Sequence, residues 1–63
     1  MRPWFIISAT NVRTGVSISH DSRDLDETLK EAEEIAEEGM LVTVEDLNTG
    51  RVLRRFNEHL LDA

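Results

Sequence analysis

Four short stretches of the chain combine apolar with polar residues, the first two rich in serine and threonine: Trp4 to Thr10, Val16 to His20, Leu41 to Asp46 and Arg51 to Phe56. Isoleucine, valine and aromatic side chains in such runs predict β-strands. The stretches form two pairs, joined by Asn11-Val12-Arg13-Thr14-Gly15 and by Asp46-Leu47-Asn48-Thr49-Gly50. Both connectors read Asn/Asp-x-x-Thr-Gly. An Asx side chain accepts bonds from the backbone N–H groups of a turn, and glycine takes the positive φ that closes it, so two antiparallel hairpins are expected.

Between the hairpins the apolar period changes to 3.6. Leu25, Leu29, Ala32, Ile35 and Ala36 form one helical stripe. Asp24-Leu25-Asp26-Glu27 fits a capping box at its start, Gly39 is placed to end it, and Met40 to fold back over the last turn. The tail from Asn57 to Ala63 has two readings, a short helix capped by Asn57 and carrying Leu60 and Leu61, or a frayed end. The predicted fold is a single α+β domain over residues 1–63. It is a two-layer sandwich in ββαββ order, with a four-stranded, mainly antiparallel sheet and one amphipathic helix on one face.

Turn register decides which side chains share a face. With Asn11 opposite Val16 and Asp46 opposite Arg51, Phe5, Ile7, Ala9, Val16, Ile18, Val42, Val44 and Leu53 meet the helix and form the core. The other face collects Trp4, Ile6, Leu41, Val52 and Phe56 among Thr43, Glu45, Ser8, Ser17, Ser19 and Arg54. A solvated sheet face is normally polar, and contiguous apolar surface marks an interface. Trp4, Ile6, Leu41, Val52 and Phe56 are therefore the candidate self-association face, with a homodimer expected. The alternative is that the tail folds under the sheet and covers this face with Leu60 and Leu61.

Charge alters the picture in one place. The net charge is −6, yet Asp24, Asp26, Glu27, Glu31, Glu33, Glu34, Glu37 and Glu38 crowd into the helical segment against Lys30 alone. Outside it, arginines and acids nearly balance. No basic footprint exists for phosphate, which excludes direct nucleic-acid binding. The acidic helix offers a second candidate surface, Glu27, Glu31, Glu34 and Glu38, suited to a basic protein partner. On that alternative the chain is a small acidic inhibitor or nucleic-acid mimic, encoded by a phage or mobile element.

Candidate chemistry is sparse. The chain has no cysteine, so it has neither disulfide nor thiolate. His20 and His59 are not at zinc-ligand spacing, the serines lack a nucleophile-elbow context, and the three glycines are isolated. Acids at i, i+4 on a regular helix cannot wrap a calcium ion with six to eight oxygens. No catalytic residue, cofactor or metal site is expected, and the chain reads as a non-enzyme. The start, Met1 to Ser8, has four apolar residues in a row, short of the ~7–15 of a signal-peptide core, and no run reaches a membrane span. A cytoplasmic protein is expected.

At the second hairpin, Val42-x-Val44-x-Asp46-x-x-Thr49-Gly50-Arg51-Val52, the sequence resembles small uncharacterised bacterial ββαββ domains. The resemblance spans most of the chain in element order. It implies the fold and carries over no site residue, since those domains have no assigned activity.

Overall fold

The two turns are built by the same hydrogen bonds. In the first, Asn11 Oδ1 accepts from the N–H groups of Arg13 (3.0 Å) and Thr14 (3.3 Å), Gly15 N–H donates to Asn11 O (2.7 Å), and Val16 N–H donates to Thr14 Oγ1 (3.3 Å). In the second, Asp46 Oδ1 accepts from Asn48 N–H (2.8 Å), Gly50 N–H donates to Asp46 O (2.7 Å), and Arg51 N–H donates to Thr49 Oγ1 (3.3 Å). Gly15 and Gly50 both sit at positive φ, 77° and 74°, where an L side chain is strained.

The computed structural model describes residues 4–62. Met1 to Pro3, which open the stretch read above against a signal peptide, and Ala63 of the tail lie outside the described residues. Strands β1 (Phe5–Thr10), β2 (Ser17–Ser22), β3 (Leu41–Asp46) and β4 (Arg51–Phe56) form one sheet in the order β2-β1-β3-β4, every neighbouring pair antiparallel. Helix α1 (Leu25–Glu37) packs over the two central strands, β1 and β3. A 3-10 turn, Glu58–Asp62, follows β4. The ββαββ architecture is the one expected from the sequence.

Helix α1 starts where the capping box places it. Asp24 Oδ1 accepts from Glu27 N–H at 3.0 Å, and the Thr28 hydroxyl donates to Asp24 O. Thr28 is fully buried and its hydrogen bond removes the penalty of burying a hydroxyl. It takes the inner place on the stripe expected for Leu25, which is exposed. The core is Phe5, Ile7, Ala9, Ala32, Val42 and Val44, with Leu29, Ile35, Ala36, Met40 and Phe56 packed against its centre.

The helix is narrower than the sheet. Over the edge strand β2 it leaves Ile18 52% and Val16 59% exposed, so these two stand outside the core in which the sequence placed them. Strand β2 also starts one residue later and runs two further than expected, because Asp21 and Ser22 keep their pairing with Ile6 and Phe5.

The larger correction concerns β4. Asn11 does face Val16 and Asp46 does face Arg51, as the turns require. Between Val44 and Glu45, however, the register of β3 and β4 shifts by one residue. Leu53 is the extra residue of this bulge. It has no partner across the ladder and is 42% exposed instead of in the core. Beyond it each side chain changes face. Phe56 stands opposite Val42 on the helix side, not on the outer face. Arg54 comes to the helix side opposite Val44, its guanidinium 5.6 Å from the Phe56 ring centroid, while Arg55 moves to the outer face opposite Thr43.

Asn57 ends β4 at φ 62° and ties three elements together. Its side-chain amide donates to Ala36 O in the last turn of α1 (2.9 Å) and to Met40 O before β3 (2.7 Å). Its backbone carbonyl accepts from Leu60 N–H (3.0 Å), starting the 3-10 turn. The tail is thus held at the C-terminal end of the helix, where Leu60 lines a hollow with Asn11, Gly39 and Met40. Leu61 is exposed. The tail does not cross beneath the sheet.

Candidate functional site

The ladders order the outer face into rows. One row runs Asp21, Ile6, Glu45, Val52, and the next runs Ser19, Ser8, Thr43, Arg55. A third contains Ser17, Thr10 and Leu41, with Thr10 Oγ1 and Ser17 Oγ 2.9 Å apart. Beyond the first row lies Trp4, whose carbonyl accepts from Leu47 N–H at 3.0 Å and whose indole carries the Arg23 guanidinium 4.1 Å above it.

Of the five residues expected on the self-association face, Trp4, Ile6 and Val52 fall at one end of the sheet, with Glu45 standing between Ile6 and Val52. Leu41 stands at the opposite end, separated from Ile6 and Val52 by the polar row of Ser8 and Thr43. Phe56 belongs to the core side. Leu47 joins the patch beside Trp4 and is 46% exposed. Sequence reasoning missed Leu47 because it stands within the turn. A large apolar residue at an Asx-turn position that needs no side chain was the available signal.

No described element covers this face. Arg23 is the group best placed to mask it. Its guanidinium lies 4.1 Å from the Trp4 ring centroid, a contact worth about 0.5–1 kcal/mol at an exposed site.

On the helix, Glu27, Glu31 and Glu34 line one shallow groove with Lys30. Glu38 lies past the last helical residue and lines a different hollow, beside Gly39. Glu31 is engaged, its carboxylate 3.0 Å from His20 Nδ1 on β2. Both side chains are largely exposed, so the contact places the imidazole beside the helix with little energetic weight. Among the described residues Arg55 Nε also meets Glu58, at 3.5 Å with both side chains more than half exposed, a pair of little energetic weight.

No group of three or more His, Asp or Glu side chains among the described residues is arranged to hold a metal ion. No helix among them is long and apolar enough to cross a membrane. No protein-family model, curated protein or solved structure matches this chain.

Proposed function

We propose that the chain is a non-catalytic interaction module that associates with a second copy of itself through the open face of its sheet, at Trp4, Ile6, Val52 and Leu47. The carrying observation is the asymmetry of the sheet. One face is packed under α1 along β1 and β3, and the other carries Trp4 and Ile6, both partly exposed, with exposed Val52 and Leu47 across Glu45 and beside Trp4, and no described element packed on it. A domain of this length hides only about 60% of its unfolded surface, so a partner that buries this cluster also stabilises the fold.

Size sets the expected strength. Four strands spaced about 4.8 Å and six residues rising about 3.3 Å each present roughly 400 Å² of planar footprint. A standard interface buries about 800 Å² per partner, so the face alone supports a weak, concentration-dependent dimer. Light scattering across a concentration series tests this. The double variant Ile6→Lys/Val52→Lys should give a monomer with an unchanged circular dichroism spectrum. A mass that stays dimeric in that variant removes the face as the contact.

A second reading takes the groove of Glu27, Glu31 and Glu34 as a site for a basic protein partner, in the manner of a small acidic inhibitor. It is favoured by the convergence of three carboxylates on one helix face whose last turn carries no base. Such binding weakens steeply with salt and with Glu27→Gln/Glu34→Gln. Capture that is indifferent to both rejects it.

A further inference from the structure

The two edges of the sheet are unlike. Strand β4 is bulged at Leu53 and carries exposed Arg51, Arg54 and Arg55, which are devices that discourage another strand from adding. Strand β2, Ser17-Ile18-Ser19-His20-Asp21-Ser22, has neither. It pairs with β1 without interruption over all six residues and its one carboxylate is Asp21.

The free backbone groups of β2 follow from the ladder. Asn11 N–H donates to Val16 O, and Leu47 N–H donates to Trp4 O. Antiparallel alternation from either bond turns the N–H and C=O of Ile18, His20 and Ser22 toward β1. Those of Ser17, Ser19 and Asp21 point outward, away from the sheet.

We infer that β2 pairs with β2 of a second copy about a twofold axis at Ser19, joining two four-stranded sheets into one of eight strands. The register is self-complementary. Ser19 meets its own copy and Ser17 meets Asp21, both as hydrogen-bonded pairs with two backbone bonds each. Ile18 meets His20 as the close, non-hydrogen-bonded pair on the helix side. There the imidazole, 3.0 Å from Glu31, would lie against an isoleucine that its own helix leaves half uncovered. No two like charges stand opposite one another. This contact uses the sheet's edge and does not depend on the outer face.

Amide exchange on the full chain reads it directly. At millimolar concentration the amides of Ser17, Ser19 and Asp21 should exchange at least tenfold more slowly than at micromolar concentration, while Ile18, His20 and Ser22 are protected at both. Ser19→Pro removes one outward N–H and no bond to β1; combined with Ile6→Lys/Val52→Lys, which removes the face contact, it should give a monomer with its sheet intact. Should that variant lose its sheet, Ser19→Lys in the same background sets two cations face to face at the axis and should also give a monomer. A dimer by light scattering whose Ser17, Ser19 and Asp21 amides stay unprotected overturns the edge contact and leaves the face contact standing. In Ile6→Lys/Val52→Lys, which removes the face contact, masses that climb past a dimer mean that β2 joins β4 head to tail, and also overturn it. An edge-protected dimer that survives Ile6→Lys/Val52→Lys with the parent's mass unchanged supports the edge contact and overturns the face contact. A monomer at every concentration overturns both.

Discussion

Asn57 combines a backbone requirement with a side-chain one. Its φ of 62° lies in the left-handed region, which asparagine tolerates better than any larger residue, and its amide donates to two carbonyls at the helix end. Asn57→Gly keeps the backbone at ease and loses both bonds, whereas Asn57→Ala also adds strain. Urea unfolding should show Asn57→Gly destabilised by about 1–2 kcal/mol and Asn57→Ala by about 1 kcal/mol more. Equal losses in the two would assign the whole effect to the amide. At the other end of the helix, Asp24→Ala removes the bond to Glu27 N–H and should cost about 1 kcal/mol in the same measurement.

Among the elements, β4 is where local pattern and real register part. The turn recipes made the order of strands legible, along with the facing of Asn11 with Val16 and of Asp46 with Arg51. Nothing local marks Leu53 as surplus, because its neighbours alternate acceptably in either register. A single inserted residue then reverses Arg54, Arg55 and Phe56 together. Tertiary packing makes that choice: the bulge lets Phe56 reach the core. Deleting Leu53 leaves every observed pair in place and yields a regular strand. The deletion should therefore fold, within about 1 kcal/mol of the parent, with Phe56 still showing nuclear Overhauser contacts to Val42. Loss of folding would mean that the bulge itself is required. Helix width was equally invisible in the pattern, which is why Ile18 and Val16 read as core. Trp4, Ile6 and Val52 could be placed because they lie before the bulge in register. Leu41 could not be separated from them until the rows across the sheet were known.

For the whole molecule the charge layout dominates. Like charges at Glu27/Glu31, Glu33/Glu37 and Glu34/Glu38 repel along α1, and Glu37 and Glu38 oppose the negative end of its dipole. Screening relieves both, so the melting temperature should rise between about 10 mM and 300 mM salt. Glu37→Lys should stabilise by about 0.5 kcal/mol at low salt and by less at high salt. A melting temperature that is flat with salt would mean that the helix tolerates its charge without cost. The matched turns have a different consequence for the molecule. Because β1 and β3 run antiparallel, the turns project from opposite ends of the sheet, and each is held by its Asx, Thr and Gly positions. In the first turn Val12 and Arg13 are exposed and supply no side chain to those bonds. That dipeptide is a graft point: foreign recognition sequence can be written there while the framework is left unread and unchanged.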